Sequence, residues 1–509
     1  MQIVVALIFA LAFALCLLVY SLRYYQILQL CGYDGKKLLR FCFSQGFYTL
    51  VFGAVICAAA FVVEIFGVRS LIFCPVAGLG GYFILYRVPC TVRLKTTKRM
   101  LRLFILTSVV NCAVCFALIM TGINAACYLL AIASPFVIAL CCAALKPLEK
   151  AIADLYEQKA KKKLAAINPI KIAITGSYGK TTAKNMLAAM LAKKYRVCAS
   201  PLSYNTPGGL CVTINKNLNA CDQVFIAEMG ARKRGDIRYL TKMIAPDIAV
   251  ITAVGSQHLE TFGSKENIVK AKAELIQNMP RGGRAFFNGD NQAVKKMYDD
   301  FSGNKTLCGK VGEVRYSNLS MSAKGLKFDL IAREKSVTVS TQLVGAHVPS
   351  MICLCAAVAI QLGVPLSDIK NAISTLQPVA HRLQMLYNGN DVIIDDSFSS
   401  NEEGFKSAVG VLSYFNYLIK VMITPGVVEL GEAQYDVNYR LGVIAGKACD
   451  YLIAIGSNAE ALVAGAISAG LPNRSAVVVR SRTEAMERYS KIKGGKAVLF
   501  ENDLPDNYN

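Results

Sequence analysis

The sequence predicts an α-helical membrane domain of five spans followed by two α/β domains. Three observations lead there. Long apolar runs crowd into the first 146 of the 509 residues. From residue 169 onward, short apolar runs alternate with amphipathic helical patterns, the βαβ rhythm of a mostly parallel sheet. Between the two regimes, "KIAITGSYGKTTAKNM" (171–186) reads as a strand, a glycine turn and a helix start.

The apolar runs cover about 2–22, 46–67, 70–86, 101–120 and 124–145. Each is near the ~20 residues that a helix needs to cross a bilayer core. The first lacks a basic start and a small-residue cleavage site, so it reads as a retained span. Basic residues set the orientation. Arg23, Lys36, Lys37 and Arg40 follow span one, and Arg87, Arg93, Lys95, Lys98, Arg99 and Arg102 surround the gap before span four. Lys146, Lys150, Lys159 and Lys161–Lys163 follow span five, whereas the turns near 68 and 122 carry only Arg69. Cationic loops lie in the cytoplasm, so the glycine turn is expected inside the cell, with the chain multi-pass in the membrane. Residues 1–150 hold thirteen Lys and Arg against three Asp and Glu, a large share of the formal +22. Anionic lipid headgroups explain that excess better than nucleic acid does. Eleven of the 18 cysteines also lie in this front part. Cys112 and Cys115 have C-x-x-C spacing within an apolar span, without the second pair that a zinc site needs. These thiols read as small packing residues.

Residues 147–168 form a charged, Ala/Lys-rich helical connector. A nucleotide-type α/β domain is expected over 169–377, with buried strands "IKIAIT", "VFIAE" and "IAVITAV", and helices at about 180–194 and 233–244. Residues 305–343 alternate polar and apolar in short strands, and helical patterns return at 349–376. A second αβ series fills 378–509, with strands "DVIID", "YLIKVMIT", "YLIAIG", "AVVV" and "KAVLF". The boundary falls near 377–383, around "QPVAHR".

In "TGSYGKTT", Gly176 and Gly179 allow the backbone to approach an anion closely, and the amides of the following helix start would face it. Ser177 and Thr182 complete the cradle. Lys180 would reach the β- and γ-phosphates of ATP, and the Thr181 hydroxyl would meet Mg²⁺. The spacing departs from G-x-x-x-x-G-K-[ST], because Ile174 stands where that pattern has its first glycine.

Taken with the segments "IAEMGARKRGDI", "ITAVGSQHLETFGSKENIVKAKAELI", "FFNGDN", "VAHRLQM", "VIIDDSFSSNEEG" and "ITPGVVELGEAQYDVN", the loop resembles that of the Mur ligases, in particular the D-alanyl-D-alanine-adding type. The closing "LFENDLPDNY" resembles membrane-anchored members. The resemblance covers about 170–505. It implies a central P-loop ATPase domain, a Rossmann-like C-terminal domain and ATP-dependent peptide ligation in cell-wall precursor synthesis at the bacterial cytoplasmic membrane. In such a reaction a carboxylate attacks the γ-phosphate, and an amine then attacks the acyl phosphate.

By the same resemblance Glu228, at a strand end, is a Mg²⁺ ligand and His258 binds a second Mg²⁺. A strand end is the usual place for a functional carboxylate beside a nucleotide, the alternative for Glu228 being a helix-start charge for the helix near 233; without the family, His258 is equally structural. Lys272 matches a lysine that CO₂ converts to a carbamate. On the bare sequence it is a solvated helix lysine, with Lys270 nearby. Asn288 and Asp290 match adenine contacts, Arg382 an arginine that reaches the γ-phosphate, and Asp396 a ribose contact. The chain departs from the family at Val348 and Ser350, where asparagines are usual after His347. It departs again at Phe398, where Tyr is usual, and at Ser399 and Ser400. "TPGVVELG" (424–431) matches the amine side. Five spans occupy the place of the domain that holds the UDP part of the acceptor. The expected acceptor is therefore a muropeptide or a lipid-linked precursor, and the amine an amino acid or dipeptide. Other readings are a poly-γ-glutamate-synthase-like ligase, a nucleotide-binding membrane module without ligation, and a degenerate ATP-binding scaffold.

Overall fold

The computed structural model describes residues 2–44, 51, 54–55, 57–62, 93–257, 259–398 and 401–502. The chain divides into two compact units, Met1–Leu155 and Tyr156–Asn509. Among the described residues, three helical stretches are long and apolar enough to cross a membrane: Ile3–Leu30, Lys98–Met120 and Asn124–Ile167. The expected spans at 46–67 and 70–86 lie largely or wholly outside the described residues.

In the first unit, helix Gln2–Leu30 packs along helix Lys98–Met120. Thr97 caps the latter by accepting from the Met100 amide at 3.2 Å, which satisfies one of the free donors of a helix start. Phe13 meets Tyr128 edge-on, with centroids 5.0 Å apart. Arg102 makes a two-pronged ion pair with Glu149 at 2.6 and 2.7 Å. Leu129–Ile167 is one helix with Pro135 and Pro147 inside it, carried onward by the Ala, Lys and Leu of the connector, all good helix formers.

The second unit contains two sheets. The strands of the first are β1 (Ile170–Thr175), β2 (Val197–Ala199), β3 (Val224–Glu228), β4 (Ile248–Ile251), β5 (Arg284–Asn288), β6 (Asn304–Gly309), β7 (Val314–Ser322), β8 (Gly325–Ala332) and β9 (Lys335–Thr341). Their order is β2-β3-β1-β4-β5-β6-β7-β8-β9. Pairing is parallel as far as β7 and antiparallel from β7 to β9. The polar alternation over 305–343 thus extends the main sheet. Helices Lys180–Leu191 and Val348–Gln361 bury their apolar side chains on one face. Helices Asp236–Ile244 and Lys265–Asn278 cover the other. Tyr156, Ala160 and Leu164 of the connector join that second core.

β1 lies between β3 and β4, so chain connections leave it to both sides. In open parallel sheets such a reversal opens a crevice beyond the carboxyl ends of the strands, where ligands bind. The register Ile174↔Glu228 and Thr175↔Ile251 brings those ends level.

The second sheet follows at β10 (Gln384–Asn388), β11 (Asp391–Asp396), β12 (Ile419–Thr424), β13 (Tyr451–Ile455), β14 (Ala476–Val479) and β15 (Lys496–Glu501). Its order is β10-β11-β15-β12-β13-β14, parallel except for the edge strand β10. Asp395 and Asp396 close β11, beside the segment that carries Arg382.

Candidate active site

β1 delivers the chain into the turn 176–179, and helix Lys180–Leu191 leaves it. Gly179 is left-handed, with φ 77°, and a Cβ there would run into Met351. A Cβ on Gly176 would collide with Thr252 and stand 2.9 Å from the Ala253 carbonyl. The loop is therefore pressed against the end of β4, and only glycine fits. Ser177 closes that contact, its amide donating to the Ala253 carbonyl at 2.6 Å. Lys180 curls over the loop, and its Nζ donates to the carbonyls of Gly176 (2.8 Å) and Ser177 (3.0 Å). Burial draws its pKa down to about 8; Glu228 pulls it upward and Arg382 adds to the fall.

Glu228, only 1% exposed, is the hub. Its Oε2 accepts from Thr181 Oγ1 at 3.0 Å and from Lys184 Nζ at 2.9 Å, and its Oε1 accepts from Asn205 Nδ2 at 3.0 Å. Burial alone would raise this carboxyl, but Lys184, Asn205 and Lys180 outweigh it and hold the pKa below the usual range. Lys184 is itself 1% exposed and also donates to the Leu202 carbonyl.

Lys272 sits on helix Lys265–Asn278 and is 3% exposed, with its ammonium 5.9 Å from the Phe262 ring centre. Burial lowers its pKa to about 7, and Lys180 pushes the same way against Asp236 and Glu274. Arg382 stacks on Phe398 at 4.4 Å. Its neighbours His381 and Leu383 hold left-handed φ of 61° and 46°, conformations that a non-glycine residue adopts only when its surroundings impose them. Here the Leu383 amide donates to Asp396 Oδ1 (3.0 Å), His381 Nδ1 meets Asp395 Oδ2 (2.8 Å), and the Phe398 amide donates to the His381 carbonyl (3.1 Å). Burial raises Asp396 to about 6.

Lys180, Thr181, Glu228, Lys272 and Arg382 all line one cavity of about 870 Å³. A second cavity, of about 260 Å³, is bordered by Tyr178, Thr182, Asn185, His347, Arg382 and Asp396. Arg382 borders both.

Residues 174–359 match the family model for the Mur ligase middle domain. The chain thus contains a segment that matches the Mur ligase middle domain. It is 30% identical to UDP-N-acetylmuramoyl-tripeptide--D-alanyl-D-alanine ligase of Mycobacterium tuberculosis (strain ATCC 25618 / H37Rv), over 59% of this chain and 61% of that protein. It is 26% identical to the Escherichia coli (strain K12) protein of the same name, over 65% of this chain and 75% of the other. The chain spans about three-fifths of the length of the mycobacterial relative it matches. The solved MurF ligase of Thermotoga maritima, in complex with ADP, superposes with a TM-score of 0.61 and 25% identity, covering 69% of this chain and 80% of that one.

Lys180, Thr181, Glu228, Lys272 and Arg382 are thus brought together on one cavity, but other expected residues are not. Asn288, at the end of β5, is buried and turned onto its own loop, accepting from the Asp290 amide at 3.1 Å. It borders neither cavity. Asp290 instead ties the Lys310 amide (2.6 Å) and the Tyr316 hydroxyl (2.9 Å). His258, Ser399 and Ser400 lie outside the described residues. His347 is drawn down to about 4 by burial and by Arg382, and it faces Ser407 at 3.3 Å. Ser350 donates to the His347 carbonyl at 3.0 Å, which keeps the helix start tied although its usual asparagine is missing. Lys184, Asn205 and Tyr178 escaped sequence reading. The available signal was Lys184 lying one helical turn after Lys180, in a helix that is apolar beyond Asn185.

Proposed function

We propose that this chain is an ATP-dependent, ADP-forming amide ligase that makes a peptide bond through an acyl phosphate in cell-wall precursor synthesis. Support comes first from the convergence of Lys180, Thr181, Glu228, Lys272 and Arg382 on one cavity. Names of relatives supply the reaction class: D-alanyl-D-alanine ligase for the sequences and an ADP complex for the structure.

The residues suit each step. In the smaller cavity, Asp396 and Thr182 present oxygen atoms to a ribose, and Tyr178 and His347 supply ring walls. The turn 176–179 would face the phosphate chain, Lys180 would exchange the loop carbonyls it now holds for phosphate oxygens, and Arg382 would meet the chain from the segment ahead of β10. Phosphoryl transfer asks mainly for such positioning and charge neutralisation. Thr181 and Glu228 offer hard oxygens 3.0 Å apart, the donor type that Mg²⁺ takes, with its remaining positions left to water and phosphate. Among the described residues no cluster of three or more His, Cys, Asp and Glu forms a self-sufficient metal cage, consistent with an ion bound largely through the nucleotide. When bound, Mg²⁺ neutralises charge on the phosphates and the attacking carboxylate. A second ion at His258 and Lys272 belongs to the same proposal.

Lys272 would serve as a carbamate. An amine titrating at about 7 is substantially neutral at physiological pH and so open to CO₂, and the nearby Lys180 would offset the resulting anion. Mass spectrometry at high bicarbonate that finds only free amine there removes this part.

We also infer a five-span membrane anchor, a Rossmann-like C-terminal domain and an acceptor that is lipid-linked. The three apolar helical stretches near the N-terminus support the anchor. The test uses the full chain in detergent with ATP, Mg²⁺ and D-alanyl-D-alanine, offering UDP-linked and lipid-linked muropeptide side by side. Phosphate release that needs both amine and acceptor is expected, with the lipid-linked acceptor preferred. Phosphate release indifferent to amine rejects ligation, and exclusive use of the UDP-linked form rejects the lipid-linked acceptor.

A further inference from the structure

β12 runs into the loop 425–430, "PGVVEL", and helix Gln434–Ala448 follows. A connecting loop ordinarily leaves its backbone groups to water. This one gives them to side chains of its own sheet. The Val427 amide donates to Asn438 Oδ1 (2.9 Å), and the Val427 carbonyl accepts from Gln434 Nε2 (2.6 Å) and Asn438 Nδ2 (2.9 Å). Asn458, at the turn after β13, donates to the Pro425 carbonyl (3.0 Å) and accepts from Gln434 Nε2 (2.9 Å). The Leu430 amide donates to Gln434 Oε1 (3.1 Å). Just past β15, Asn502 Nδ2 donates to the Gly426 carbonyl (2.6 Å). Asn438 and Asn458 are buried, and a Cβ on Gly426 would strike Asn438. A buried polar network satisfied in this way makes rigid what it holds.

The resulting arch reaches beyond its own sheet. Glu429 is left-handed, with φ 63°, and its carbonyl accepts from the Glu260 amide at 3.0 Å. Glu260 belongs to helix Leu259–Phe262. On one side of that helix stands Gln257, in the lining of the large cavity. On the other, Phe262 is buried in the core shared with helix Lys265–Asn278, its ring centre 5.9 Å from Lys272 Nζ. Lys272 lines the same cavity. Three amide side chains on the second sheet therefore bear, through one backbone hydrogen bond, on a cavity wall carried by the first.

We propose that Gln434, Asn438 and Asn458 are positioning residues. The arch they build latches helix Leu259–Phe262 and so sets the wall that carries Gln257 and Lys272. The effect on turnover rests on the ligase reading; the latch itself does not. Coupling between distant groups needs a continuous physical path, and each link here is a named contact. Among the described residues, none of the arch borders the smaller cavity, so the nucleotide should be held as before.

The experiment uses the full chain in detergent and two substitutions at one position. Glu429→Gly and Glu429→Val lose the same carboxylate. Glycine takes a left-handed φ freely, whereas a β-branched residue resists it. Hydrogen exchange of peptides covering 259–263 and amine-dependent phosphate release are both measured. Exchange should be about ten-fold or more faster in the valine variant than in the glycine variant, the scale that a strained backbone residue implies. The kcat of the valine variant should be lower by about the same factor, with the two KM values for ATP within about two-fold of each other. Asn438→Ala, which strips both Val427 backbone groups of this partner, should resemble the valine variant in both readouts. Equal exchange in the glycine and valine variants overturns the latch. Wild-type protection of 259–263 in Asn438→Ala overturns the role of the amides. Faster exchange with equal kcat overturns positioning, and so does a KM for ATP that rises as much as kcat falls, because a general loosening then accounts for both. If even the wild type releases no phosphate in response to amine, the ligase reading fails while exchange still decides the latch.

Discussion

Lys184→Met should be far more damaging than an ordinary helix substitution. The side chain is 1% exposed and its Nζ lies 2.9 Å from Glu228 Oε2. Removing it leaves a buried carboxylate with two neutral donors, Thr181 and Asn205. Breaking one half of a buried ion pair costs about 3–5 kcal/mol. A domain of about 150–250 residues loses roughly 2–4 °C in Tm per kcal/mol, so a fall near 10 °C is expected. The double variant Lys184→Met/Glu228→Gln should regain most of that loss, because no charge is then stranded. The pH dependence should change sign as well. In the wild type the Glu228 pKa lies below its ordinary 4.5, so its contribution is present above that pH and lost as pH falls further. Without Lys184, burial dominates and the pKa rises, so stability should fall as pH climbs through the ordinary carboxylate range. Scanning calorimetry of the full chain in detergent across pH 4 to 8 (about the range that brackets both cases) measures this. A single variant within about 1 kcal/mol of wild type, or strict additivity in the cycle, refutes the claim that the pair is held together against its own desolvation.

Lys272→Met should raise stability at neutral pH while abolishing amine-dependent phosphate release. The folded pKa of about 7 lies below the ordinary 10.5, so the unfolded chain binds the extra proton between those values, and wild-type stability climbs with pH across them. That slope should flatten in the variant, as read from urea unfolding at pH 7 and about pH 9.5. Gly176→Ala should eliminate nucleotide binding measured by calorimetry, since its Cβ would collide with Thr252 and the Ala253 carbonyl. Arg382→Lys should lower kcat about ten-fold or more despite keeping the charge, because a lysine cannot stack flat on Phe398 or offer a planar fork. Phe398→Ala should reproduce part of that loss in the same phosphate-release assay.

How far the sequence could be read depended on how local each feature was. Gly176, Gly179, Lys180 and Thr181 occupy one short segment between a strand and a helix, and Glu228 marks a strand end, so pattern alone located them. Lys272 needed the family resemblance. In isolation a helix lysine reads as solvated, and only the packing of helix Lys265–Asn278 on the sheet buries it. Lys184 had no such help, because its partner is 44 residues away in sequence. β2 has three residues, too few for a period. β10, an exposed edge strand, carries a weak apolar signal. Proline usually breaks a helix, whereas Pro147 here lies within one. Asn288 was drawn to the nucleotide by its motif, and its side-chain oxygen accepts from its own turn.

Arg382 borders both cavities while its backbone is pinned by two residues in unfavourable conformations. On the ligase proposal, the ligand in the smaller chamber and the ligand in the larger one would meet the same guanidinium, so the two compartments would be coupled through a single side chain.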